Sequence, residues 1–159
     1  MSLTSARQAS EPVSALLCGT QLDTIRVYSL IVQLGFIRVG AADLPQEVWV
    51  VVSGDLLVDG PTSAAADTSV ASEFFSRRAL ALRENYFLIG RRVTAAWVSD
   101  SGELEIELGD TRLRAKRDEH GDLEEVWAVM SETPDANLEH RWYVSLDDSG
   151  ALSVCVPSG

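Results

Sequence analysis

The stretch Leu88–Lys116, LIGRRVTAAWVSDSGELEIELGDTRLRAK, decides the fold class. Within it Leu104, Ile106 and Leu108 alternate with Glu103, Glu105 and Glu107, and Leu113 and Ala115 alternate with Arg112, Arg114 and Lys116. Strict alternation is the period of a strand with one apolar and one wet face. Gly109-Asp110 has the chemistry of a two-residue type II′ turn, because glycine at the first central position accepts a positive φ. That turn sets a register: Glu107 opposite Arg112, Glu105 opposite Arg114 and Glu103 opposite Lys116. On the other face Ile106 meets Leu113 and Leu104 meets Ala115. Arg91–Ser99 reads as a further strand that turns at Asp100-Ser101-Gly102.

Much of this stretch has a weaker echo earlier in the chain. Gly90 and Val93 repeat Gly19 and Leu22. The series Leu104, Ile106, Leu108, Gly109, Arg112, Leu113 repeats Leu30, Val32, Leu34, Gly35, Arg38, Val39, and Glu125-Val126-Trp127 repeats Glu47-Val48-Trp49. The reading is a duplicated unit, with repeat one over about 17–58 and repeat two over about 88–130. In repeat one Gln21–Tyr28 and Leu30–Leu34 have strand composition, with Phe36–Val39 pairing back through a turn at Gly35. Gln46–Ser53 contains VWVVV, an apolar run that suits a strand covered on both faces. A linking helix is expected over about 69–83, with Val70, Phe74 and Arg78 on one line and Ala71, Phe75, Ala79 and Leu82 beside it. Leu123–Met130 is the second E-V-W strand. A C-terminal hairpin over about 140–156 turns at Asp147-Asp148-Ser149-Gly150. Residues 1–12 read as a disordered tail, leaving 13–157 as a single domain. The expected fold class is α+β, mainly β: antiparallel meanders forming a bent sheet or open barrel, one linking helix and the C-terminal hairpin.

Composition bounds the function. The chain has 159 residues and a formal net charge of −11, with 13 basic and 24 acidic residues. Residues 1–80 hold 5 basic and 8 acidic residues, and 81–159 hold 8 and 16. Such a balance argues against nucleic acid and anionic membranes as partners and is compatible with a basic protein. No apolar run reaches the roughly 20 residues of a membrane helix, and MSLTSARQASEP has no signal-peptide pattern, so a cytoplasmic protein is expected. Cys18 and Cys155, each amid apolar residues, read as two buried thiols.

The layout of paired G-x-x-[LV]…L-x-[IV]-x-L-G units, an E-x-W strand and a closing L-x-V-C-x-P strand resembles an uncharacterised family of small proteins of high-GC Gram-positive bacteria. Leu88–Leu113, Glu125-Val126-Trp127 and Leu152–Pro157 carry the resemblance. It implies a β-rich fold, and its general look is similar to that of immunity proteins of toxin systems.

No Gly-rich phosphate loop and no G-x-S-x-G elbow occurs, so no catalytic residue and no cofactor is assigned, and the balance leans away from an enzyme. His120 with Asp118 or Asp122 is the one conceivable metal set. A loop histidine beside acids explains it more simply, so no metal is assigned. His140 reads as a surface residue. The acidic set Asp118, Glu119, Asp122, Glu124 and Glu125 is a candidate docking patch, against the plainer reading of a solvated loop. Trp49 and Trp127, matched in the repeat, are expected to be buried in one shared core, with Trp97 and Trp142 also in apolar strands. Three functions follow: an acidic interaction protein of immunity or antitoxin type that binds a basic protein, a self-associating structural or regulatory domain forming a homodimer, or a small-ligand binder or enzyme with a site between the repeats.

Overall fold

The computed structural model describes residues 4–40, 43–60, 74–118, 124–131 and 141–157. The elements run α1 (Ala6–Leu17), β1 (Gln21–Val27), β2 (Val32–Ile37), β3 (Glu47–Val52), β4 (Asp55–Asp59), α2 (Phe74–Tyr86), β5 (Ala95–Val98), β6 (Leu104–Leu108), β7 (Thr111–Lys116), β8 (Glu125–Ser131), β9 (Tyr143–Asp147) and β10 (Leu152–Cys155). The class is α+β, mainly β. In place of one bent sheet or a barrel there are two antiparallel sheets, one in the order β1-β2-β3-β8-β9-β10 and one in the order β4-β7-β6-β5.

The two halves interlock. Each begins with a helix and a three-stranded meander, β1-β2-β3 or β5-β6-β7. Each then sends its next strand to the other sheet, so that β4 pairs with β7 and β8 pairs with β3. Where the halves meet, the bonds are reciprocal. Gly19 N–H donates to Val93 O at 3.0 Å and Gly90 N–H to Leu22 O at 2.8 Å. Val93 N–H donates to Thr20 O and Leu22 N–H to Arg91 O. Gly19 and Gly90 have φ of 80° and 90°, which glycine adopts at no steric cost. The echoed Gly19/Gly90 and Leu22/Val93 therefore occupy matching positions.

The E-V-W echo does not. Glu47-Val48-Trp49 opens β3 and Glu125-Val126-Trp127 opens β8, and these strands are antiparallel neighbours. Both tryptophans are buried, Trp49 to 3% exposure and Trp127 to 0%, but on opposite faces. Trp127 joins the main core with Val48, Val50 and Val52. Its indole N–H donates to Gly102 O at 2.9 Å, which ties the β5–β6 turn to the six-stranded sheet. Trp49 sits on the other face with Val51, Ala128 and Met130. The VWVVV run is thus covered on both sides, as a continuous apolar strand requires. Gly35 is mid-strand, not a turn, because the Trp49 ring lies over it: a Cβ there would sit 2.8 Å from the ring.

The tail expected over residues 1–12 is helical from Ala6. Ser5 and Gln8 form a capping box. Ala9, Val13, Leu16 and Leu17 are fully buried in the main core, each of the larger ones stabilising by about 1.5–3 kcal/mol. Arg38 closes the helix, its guanidinium donating to the carbonyls of Ala15, Leu16 and Cys18, where a cation also suits the helix dipole. Among the described residues there are therefore two helices, not one. In α2 the described buried positions are Arg78, Ala81 and Asn85, while Ala79 is exposed. Residues 69–73 of the expected helix lie outside the described residues.

The β6–β7 hairpin has the expected register, Glu107 with Arg112, Glu105 with Arg114, Ile106 with Leu113 and Leu104 with Ala115, and Gly109 has φ of 70°. Of the ion pairs, Arg112 with Glu107 is directly across as expected and the others run diagonally. Arg112 bridges Glu105 at 3.0 Å and Glu107 at 2.7 Å, and Arg114 reaches Asp59 at 2.7 Å and Glu103 at 3.8 Å. The β4 strand supplies Asp59 on this face, so arginine turns towards it. Trp97 lies under the Arg112 guanidinium, 4.9 Å from its ring centroid, on the outer face and not in the core. Cys155 is exposed and Cys18 half-buried, so neither is the buried thiol expected: β10 is an edge strand whose alternate residues face out.

Candidate acidic interface

The start of β8 and the end of β9 meet at one corner of the six-stranded sheet. The register places Glu125 opposite Asp147, with an irregularity between Glu125 and Trp127. Just outside the strands Asp148 N–H donates to Glu124 O at 2.9 Å. Four carboxylates, Glu124, Glu125, Asp147 and Asp148, thereby share the corner. Glu124 and Asp148 are exposed, and Glu125 and Asp147 are half-buried. Among the described residues none of the four has an ion pair.

Local groups hold these charges in place. The Tyr143 hydroxyl donates to Glu125 Oε2. Burial, reinforced by that carboxylate, pushes the Tyr143 pKa up to about 12. The Asp147 carboxylate accepts from Ser149 Oγ at 2.6 Å and from Ala151 N–H at 2.8 Å. These bonds lower its pKa, because donors to the charged form favour it. Asp147 is therefore ionised at any physiological pH.

Of the five residues expected in a docking patch, the structure brings Glu124 and Glu125 to this corner. Asp118 is half-buried, and its charge, with that of Asp55, supports the buried Arg78 guanidinium of α2 against desolvation. Glu119 and Asp122 lie outside the described residues, as do His120 and His140. Asp147 and Asp148 were missed as site residues. The sequence marks them as turn residues, although two acids beside a strand that pairs with the E-V-W strand are the available signal.

An open cleft of about 340 Å³ lies elsewhere, lined by Asp59, Glu107, Asp110, Thr111 and Arg112. Its carboxylates are already paired, Asp59 to Arg114, Glu107 to Arg112 and Asp110 to Arg91. A second cleft, of about 380 Å³, adjoins the acidic corner and is lined by Lys116, Arg117, Gly102, Leu146 and Gly150. Comparison of the chain with known protein families, curated proteins and solved structures finds no match. Among the described residues no three His, Cys, Asp or Glu side chains converge to hold a metal ion, and no helix is long and apolar enough to cross a membrane. The four carboxylates spread over a surface, which suits several separate cationic side chains better than one chelated ion.

Proposed function

We propose that this is a small acidic protein-interaction domain of the cytoplasm, of immunity or antitoxin type, that docks a basic protein on the corner formed by Glu124, Glu125, Asp147 and Asp148. One observation carries the reading: Glu125 stands directly across from Asp147, and among the described residues neither is in an ion pair. Like charges in that position are destabilising, and the donors that hold them, Tyr143 on Glu125 and Ser149 and Ala151 N–H on Asp147, bring no positive charge. A partner's lysines or arginines would relieve the repulsion, and the surrounding field would speed encounter. The two halves, read as a duplicated unit on the strength of the bonds at Gly19 and Gly90, differ in charge, and the corner lies in the more acidic half.

Selection of random displayed peptides on the immobilised protein tests this. Binders rich in Lys and Arg are expected, with affinity that falls as salt rises and is lost in the double variant Glu124→Lys/Asp148→Lys. Replacing Asp43 by Lys, an exposed acid in the loop before β3 and at the end of β8 away from Glu125, should leave them bound. Binders indifferent to the charge reversal would overturn the assignment.

A further inference from the structure

The two sheets have four edges, and three are managed. Along β5, α1 supplies Ser10, whose Oγ accepts from Val98 N–H at 2.9 Å and lies 3.1 Å from Val98 O. Along β4, α2 packs closely, with Arg78 donating to Gly54 O at 2.7 Å. β10 is four residues long, touches α1 and runs to Pro157. The fourth edge, β1, is seven residues long. Among the described residues only its first residues are covered, by the bonds of Leu22 to Gly90 and Arg91. Beyond them β1 has neither proline nor lysine; its guards are the charges of Asp23 and Arg26 and an irregularity of register between Leu22 and Thr24. Asp23, Arg26 and Val27 are exposed.

The ends of this edge are apolar. Among the described residues, six of the eight large hydrophobic side chains that stand out of the surface lie here. Val27, Tyr28 and Leu30 are at its far end, and Tyr86, Phe87 and Ile89 are in the turn that leads to Gly90 at its near end. Tyr86 and Phe87 pack edge to face with ring centroids 5.9 Å apart, yet remain 68% and 69% exposed.

We propose that β1 pairs antiparallel with β1 of a second copy about a two-fold axis near Ile25, joining two six-stranded sheets into one. A two-fold reverses the strand, so the Tyr86-Phe87-Ile89 turn of one copy meets Val27, Tyr28 and Leu30 of the other, twice. That matches the demand of an isologous contact, in which each patch finds a different patch on its partner. Charge agrees. The chain carries −11 overall, but residues 21–39 hold one acidic residue, Asp23, against Arg26 and Arg38, so this edge escapes the general repulsion. An axis at Ile25 sets Arg26 opposite Thr24 and Val27 opposite Asp23 of the other copy, so neither charge meets its own counterpart. On the core side the half-buried Ile25 would meet its own mate. Strand addition of this kind draws affinity from main-chain bonds and register from the side chains.

Sedimentation velocity over a concentration series tests the pairing. The unaltered protein should sediment as a dimer in the micromolar range, and still do so at high salt, unlike contacts of the acidic corner. Val27→Asp would set a second carboxylate opposite Asp23 of the other copy, twice in the seam, and should weaken the dimer at least about tenfold, which is about 1.4 kcal/mol. Phe87→Ser, on an exposed side chain off the strand, should weaken it similarly with an unchanged circular dichroism spectrum. Val156→Lys, on an exposed residue beside the opposite edge, should have no effect. A monomer throughout the concentration range overturns the proposal, and so does a dimer that tolerates both Val27→Asp and Phe87→Ser.

Discussion

Gly54→Ala probes the joint between the sheets. The chain leaves the six-stranded sheet at Ser53 and enters the four-stranded one at Asp55, and Gly54 is the corner. Its N–H, like that of Ser53, donates to Val126 O, and its carbonyl accepts from Arg78. A Cβ here would overlap the Lys116 carbonyl oxygen and lie 2.9 Å from Val126 Cγ1. Backbone cannot rotate aside as a side-chain tip can, so the corner must open. Overpacking costs about 1–3 kcal/mol, and a backbone obstacle argues for the top of that range. Straining the bonds to Val126 and Arg78 adds about 1 kcal/mol each. A total near 3–5 kcal/mol, at about 2–4 °C per kcal/mol for a chain of this size, lowers the melting temperature by roughly 6–20 °C. Gly40→Ala is the control. Nothing lies within 4 Å of a Cβ there, and its φ of 92° costs an alanine only about 1–2 kcal/mol. Thermal melts followed by circular dichroism compare the two. If Gly54→Ala melts no lower than Gly40→Ala, the corner is not closely packed and the reasoning fails.

Trp127→Phe keeps most of the ring but leaves the Gly102 carbonyl without its donor; a loss of about 1–3 kcal/mol should appear as a lower urea midpoint with an unchanged slope. Ser5→Ala removes the capping box of α1 and should cost about 1 kcal/mol by the same assay, where no change would mean that the first turn is frayed. Because the folded-state pKa of Tyr143 is raised to about 12, its contribution is complete below the unfolded value of about 10 and is lost as pH rises from there through the folded value; urea titrations across that window should show stability falling, and Tyr143→Phe should flatten the slope. Arg112→Ala removes two part-exposed ion pairs, about 0.2–1 kcal/mol each, and the stacking on Trp97, about 0.5–1 kcal/mol, and a loss above about 3 kcal/mol in denaturant titration would contradict the small worth of such surface contacts.

What the sequence disclosed follows from how local the deciding interactions are. The β6–β7 register was readable because one two-residue turn fixes it. The matched Gly19 and Gly90 were readable because a positive φ leaves glycine as its trace. The helix α1 was hidden by Pro12 and a polar start. The Ser5–Gln8 box and the spacing of Ala9, Val13, Leu16 and Leu17 announced it to a reader looking for them. Gly35 looked like a turn because the ring that needs its missing side chain arrives from another strand, at Trp49. The E-V-W likeness misled because two neighbouring strands covered on both faces select similar residues whether or not they correspond. The acidic corner was half legible: Glu124 and Glu125 stood in the sequence, but Asp147 and Asp148 join them only through the pairing of β8 with β9.

The exchange of fourth strands has a consequence for how the chain is made. β3 lies at the centre of its sheet, yet its inner partner β8 begins only at Glu125. On a ribosome adding about 5–20 residues per second, the bare edge of VWVVV waits several seconds for cover, and β4 waits similarly for β7. An unpaired apolar edge is the species that recruits wrong partners. A nascent chain of this topology has a defined window of vulnerability, opened by Val52 and closed by Ser131. Slowing translation across residues 60–124 should raise aggregation in cells even though it changes nothing in the finished protein.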